Sequence, residues 1–109
     1  MIFPYEYKND VLVVKIDEKD SSFSEIIDGD FCKETLELNV HSSGKIAFEL
    51  TGKKYFNSAD LGTLIKIKDI LLDEGIELVL INPSDKTTEL FDMVGVSDFF
   101  VIMKDDEGL

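Results

Sequence analysis

Basic residues are scarce in this chain, cysteine and histidine occur once each, and long apolar runs are missing. Eleven Lys and Arg against 23 Asp and Glu leave a formal net charge of −12. That excess argues against nucleic acid or an anionic membrane as a direct partner, and suits a surface that meets a basic patch on another protein. The single cysteine, Cys32, cannot form an internal disulfide and fits a reducing cytoplasm, as a small core residue. No apolar run approaches the roughly 20 residues of a membrane span, so no direct membrane insertion is expected. Met1–Tyr7 has no basic region ahead of a long apolar core, so no secretory leader is expected and a cytoplasmic location is.

The same scarcity narrows the chemistry. His41 has no second histidine and no neighbouring cysteine with which to hold a metal. Asp17–Asp20 lacks the Asp-x-Asp-x-Asp alternation of a calcium loop and reads as a solvated face. Gly52-Lys53-Lys54 is too short for a phosphate loop. Ser58 with His41 could in principle form part of a hydrolase, but no Gly-x-Ser-x-Gly elbow surrounds the serine. No acid, base and nucleophile converge. No cofactor, no metal and no enzymatic activity are therefore expected.

What the chain does contain is one domain over 1–109, long enough to bury roughly two-thirds of its unfolded surface. It is organised around Lys45–Leu72. Ile46, Phe48 and Leu50 alternate with Lys45, Ala47 and Glu49, the period of a strand. After Thr51-Gly52-Lys53-Lys54, Tyr55-Phe56 resumes apolar character. An apolar helix follows, carrying Leu61, Leu64, Ile65, Ile67, Ile70, Leu71 and Leu72. Asn57 or Ser58 takes the N-cap position and Asp60 the first turn, where a negative charge suits the helix dipole. A serine there reads either as a plain cap or as a site where a phosphate is well accommodated. Gly62 costs about 1 kcal/mol relative to alanine. Close helix packing explains it slightly better than room for a partner.

On either side the pattern is regular. Phe3, Tyr5 and Tyr7, the Asn9-Asp10 turn and Val11–Ile16 predict a hairpin. Asp17–Gly29 reads as a loop with one helical turn. Asp30 caps a helix over Phe31–Val40, in which Phe31, Thr35 and Leu38 share a face, and His41-Ser42-Ser43-Gly44 ends it. Asp73-Glu74-Gly75 stops the central helix, and Ile76–Ile81 is apolar enough for a strand buried on both faces. Asn82-Pro83-Ser84 makes a turn and a cap, with Asn82 held extended by the proline. Leu90, Phe91, Met93 and Val94 supply the apolar face of another helix, ended by Gly95. Val96–Met103 predicts a last strand, and 104–109 a flexible acidic tail. The order β-β-α-β-α-β-α-β implies an α/β domain, a mixed four- to five-stranded sheet with helices packed mainly on one face.

The run Phe56-Asn57-Ser58-Ala59-Asp60-Leu61-Gly62-Thr63-Leu64 after an apolar strand resembles the hallmark of STAS domains of the anti-sigma factor antagonist type: an apolar residue, Asp, Ser, Ser or Ala, Gly, Leu, Gly. Gly75–Ser84 and Leu90–Phe100 resemble the family's closing strand–helix–strand unit. The likeness covers Ile46–Ile102 well, the hairpin loosely and Asp17–His41 poorly. It implies a bacterial partner-switching module in transcription regulation. The antagonist binds a serine-kinase anti-sigma factor, phosphorylation of the motif serine breaks that complex, and a phosphatase restores it. By position the phosphoacceptor is Ser58, with Asn57, Ser58, Ala59, Asp60, Leu61 and Gly62 forming the partner-binding loop and Tyr55 and Thr63 at its rim. Asn57 stands where the family has an acid, and Asp60 where it has glycine, which brings a second carboxylate near a phosphate on Ser58. The resemblance also admits an alternative, an accessory subunit docked constitutively on a lipid-transport ATPase without phosphorylation. A weak homodimer stays open.

Overall fold

The strand register sets the architecture. A computed structural model describes residues 3–17, 29–38 and 44–109. The expected loop over Asp17–Gly29 and the helix end at His41–Ser43 lie almost wholly outside those residues, as does the side chain of Cys32.

Strand β1 (Tyr5–Lys8) pairs antiparallel with β2 (Val11–Lys15), Lys8 opposite Val11. The two residues between them, Asn9 and Asp10, have φ of 52° and 64°. Two successive positive φ values match a two-residue hairpin turn to the twist of its strands, and Asn and Asp tolerate them best after glycine. From β2 every step is parallel: β3 (Lys45–Glu49), β4 (Glu77–Ile81) and β5 (Val101–Met103), in the spatial order β1-β2-β3-β4-β5. Among the described residues each parallel step carries one α-helix: α1 (Gly29–Leu38), α2 (Ser58–Asp73) and α3 (Asp85–Val94).

Crossovers that advance in one direction with one hand lay their helices on the same face, and the side chains agree. Phe31 of α1, Leu61, Leu64, Ile67 and Leu71 of α2 and Phe91 of α3 join Leu12, Val14, Ile46, Phe48, Leu78 and Leu80 in one cluster. The alternate residues Val11, Val13, Ala47, Val79 and Ile81 form a second cluster on the opposite face, with Met103 and Leu109 against it. Burial on both faces accounts for the unbroken apolar run of β4. The segment after β5, expected to be flexible, lies beside the hairpin. Lys8 Nζ is 2.8 Å from Asp106 Oδ1, and Asn9 Nδ2 donates to the Leu109 carbonyl at 2.5 Å. The hydrogen bond from Lys8 holds the Asp106 carboxyl below its ordinary range and raises the lysine above its own.

Both glycine helix stops hold. Gly75 and Gly95 have φ of 74° and 83°, in the left-handed region that glycine enters without Cβ strain. The N–H groups of Gly75 and Ile76 reach the carbonyls of Leu72 and Leu71, and those of Gly95 and Val96 reach Asp92 and Phe91. This is the paired 5→2 and 6→1 arrangement of a Schellman end.

Four local expectations need correction. The final strand does not run from Val96: Ser97–Phe99 forms a 3-10 turn, with Phe99 N–H on the Val96 carbonyl and the Ser97 hydroxyl on Asp92, so that the paired strand is shortened to Val101–Met103. Asn82 is not extended before Pro83 but has φ of 53°, fixed by its N–H on the Met103 carbonyl and its amide on Thr51 Oγ1. Asp30 lies inside α1, one residue after its start at Gly29. On α3 the buried face is Thr87 and Phe91 with Leu90 beside them, whereas Met93 and Val94 are exposed.

Candidate functional site

The site is assembled where β3 leaves the sheet. In open parallel sheets the carboxyl ends of the strands, where loops lead into helix N-termini, are the usual place for binding. Leu50 is still buried and donates its N–H to the Ile81 carbonyl at 2.9 Å. The chain then turns at Thr51-Gly52, with Lys53 N–H on the Leu50 carbonyl at 3.0 Å.

That turn sends Lys53 inward. Its side chain is 1 % exposed, and its Nζ lies 3.2 Å from Asp60 Oδ2 and 4.7 Å from the centre of the Phe56 ring. Phe56 packs edge-on against Phe91 at 6.0 Å, which in turn stacks on Phe100 at 5.3 Å. Ser84 fastens the outer side of the loop. Its hydroxyl donates to the Lys54 carbonyl at 2.6 Å and accepts from Thr87 N–H at 3.1 Å, so the cap of α3 also clamps the segment leading to α2.

The start of α2 resolves which residue caps it. Asn57 is the N-cap: its Oδ1 accepts from Asp60 N–H at 2.8 Å, and Asp60 Oδ2 accepts from Asn57 N–H at 3.2 Å. This is a capping box made with Asn and Asp in place of the commoner Ser or Thr and Glu. Ser58 is therefore the first helical residue, exposed, and its hydroxyl makes no hydrogen bond among the described residues. N–H groups at the first helical positions have no partner within the helix, and with the dipole they favour a negative group there.

Of the residues expected to bind a partner, Asn57, Ser58, Ala59 and Gly62 are exposed and Thr63 is half-buried. Tyr55 is 65 % exposed at the rim, with Lys86 Nζ over its ring at 5.2 Å. Asp60 and Leu61 turn inward, at 2 % and 5 % exposed, and support the loop from beneath. The packing account of Gly62 is overturned: among the described residues a Cβ there would meet nothing within 4 Å. Gly62→Ala should therefore raise stability by about 1 kcal/mol through helix propensity alone, read as a higher thermal midpoint. The same methyl would hinder any partner that needs close approach to the α2 backbone.

Sequence reasoning placed a cap at Asn82-Pro83-Ser84, which Ser84 proves to be, but missed the inward turn of Lys53 and the tie from Ser84 to the loop. A lysine after glycine in a turn reads as solvated, and the one signal was an acid seven residues later in the first turn of the helix. The tie from Ser84 to Lys54 spans 30 residues and leaves no local pattern. Elsewhere, a cavity of about 300 Å³ whose lining includes Val13, Lys15, Glu49, Thr51, Ile81 and Lys104 lies on the sheet face opposite the helices. Among the described residues no group of three His, Cys, Asp or Glu could hold a metal, and no helix is long and apolar enough to cross a membrane.

Comparison with known proteins agrees with this architecture. The family model for the STAS domain matches residues 6–108. Two solved structures of TM1081, a protein of Thermotoga maritima that one of them describes as a proposed anti-sigma factor antagonist, share the fold. The NMR structure aligns with a TM-score of 0.73 at 22% identity, covering 99% of this chain and 84% of that one. The crystal structure aligns at 0.71 and 20% identity, covering 98% and 89%. At that identity the likeness speaks to fold. No curated protein matches the sequence. The chain belongs to the STAS domain family.

Proposed function

We propose that this STAS domain is an anti-sigma factor antagonist, a non-enzymatic regulator that docks on a serine-kinase anti-sigma factor through the loop at 57–62. Phosphorylation of Ser58 switches it off and a phosphatase resets it. The observation that carries this reading is the placement of Ser58. Its hydroxyl is exposed at the first position of α2 while Asn57 does the capping, so the serine is not consumed by the helix it begins.

A phosphate there adds about −1.5 to −2 charges and three acceptor oxygens. The helix start tolerates that charge, whereas a partner surface seated on Asn57, Ala59 and Gly62 does not. The switch is then a change of charge at an interface, with little refolding. The neighbour described as a proposed anti-sigma factor antagonist and the strongly acidic surface support a protein partner with a basic contact patch.

Intact-mass spectrometry of the protein purified from its own host, followed by site mapping, tests the modification. The expected result is one phosphate on Ser58, absent from Ser58→Ala. An unmodified Ser58 under every growth and stress condition would remove the switch and leave constitutive docking, as on a transport ATPase.

A further inference from the structure

We propose that the helix-free face of the sheet is an interface for a second copy of this chain, and that the segment 104–109 lies across it as a displaceable strap. Neither involves the residues at the start of α2.

Largely parallel sheets bury both faces. Three helices cover one face here, and among the described residues the partly buried apolar side chains packed on the other are Met103 and Leu109. Beneath them Val11, Val13, Ala47, Val79 and Ile81 are each 2 % exposed or less. The strap starts beyond β5 at one edge of the sheet and reaches the hairpin at the other, where Asp106 meets Lys8 and the Leu109 carbonyl meets Asn9. Its ties are weak. Among the described residues no backbone–backbone hydrogen bond joins 104–109 to a strand. The ion pair has side chains 38 % and 37 % exposed, where water screens most of the attraction. A cavity of about 300 Å³ remains where Lys104, Asp105 and Asp106 pass over Val13 and Ile81.

The charges on this face decide what fits it. Register puts Glu6 and Lys8 of β1, Lys15 of β2, Lys45 and Glu49 of β3 and Glu77 of β4 on the same side as the valines. Three lysines stand against three glutamates, with Lys15 directly beside Glu49 and Lys45 beside Glu77. The sheet residues of this face therefore sum to zero in a chain of net charge −12. Two such chains repel through any surface that shares the general acidic excess. A neutral face of mixed sign around an apolar centre can instead meet its own copy about a two-fold axis. The strap removes that match, because its one lysine and three acids lay two net negative charges over the face. Five short strands make a small interface, at the weak and reversible end of the range. That suits a face its own chain can close.

The test is sedimentation equilibrium of the full chain over a series of concentrations. Wild type should run as a monomer. Asp106→Ala/Leu109→Ser loosens the strap and leaves the sheet face intact. It should dimerise at least about tenfold more tightly, because the second copy no longer competes with a closed strap. Adding Lys15→Glu gives each face two net negative charges and should return the chain to monomer. Adding Glu49→Lys as well restores neutrality and should restore the dimer. If Asp106→Ala/Leu109→Ser does not fold, Asn9→Gly/Asp106→Ala removes both polar ties with every apolar residue in place and carries the same comparison. A loosened chain that stays monomeric, or whose association ignores Lys15→Glu, overturns the proposal, as does a wild type already dimeric.

Discussion

Phe91→Ala should lower folding stability by about 3–5 kcal/mol, the range for emptying a fully buried aromatic site. Phe91 has no exposed surface, and it touches Phe56 on one side at 6.0 Å and Phe100 on the other at 5.3 Å. Those rings belong to the loop before α2 and to the residue before β5, so one side chain joins three parts of the helical face. A domain's total stability is only about 5–15 kcal/mol, so the loss is a large share of it. Urea denaturation should show a fall in midpoint at unchanged slope. Amide exchange at Asp60 and Leu61, whose N–H groups are held by Asn57, should quicken, because Phe56 supports the cap from below. A loss under about 1 kcal/mol would mean that the three rings do not form one packed unit.

Lys53→Met is the second large effect, at about 3–5 kcal/mol. The substitution keeps the length and apolar stem of the side chain but removes the ammonium that lies 3.2 Å from the buried Asp60 carboxylate. Breaking one side of a buried pair costs far more than removing both. Lys53→Met/Asp60→Asn should therefore recover most of the loss, although it weakens the box around Asn57. Equilibrium unfolding of both variants decides the matter. If the double variant is as unstable as Lys53→Met alone, the loss comes from packing of the lysine stem and not from the broken ion pair.

The unit that carries the site was readable because each of its signals is local. Alternation over Ile46–Leu50 gave the strand, the apolar spacing from Leu61 gave the helix, and a capping residue stood between them at Asn57 or Ser58, of which the structure chooses Asn57. The hairpin and both glycine stops were readable for the same reason. What sequence could not supply were choices made by contacts far along the chain. Lys53 turns inward because Asp60 and the Phe56 ring receive its ammonium. Asn82 leaves the extended region because Thr51 and Met103, from two other elements, hold it. Thr87 could be buried in place of Met93 because Ser84 satisfies its hydroxyl and its N–H. The last strand shortens because Phe100 is drawn onto Phe91. Each of these depends on a neighbour that no window of a few residues contains.

The most direct measurement is a titration of the host's serine-kinase anti-sigma factors, each expressed singly, with this protein in its unmodified and Ser58-phosphorylated forms. The account predicts that one of them binds the unmodified form at least about 100-fold more tightly, a difference of about 2.7 kcal/mol, and that Gly62→Ala weakens that binding while raising stability. Equal affinity for the two forms would contradict it.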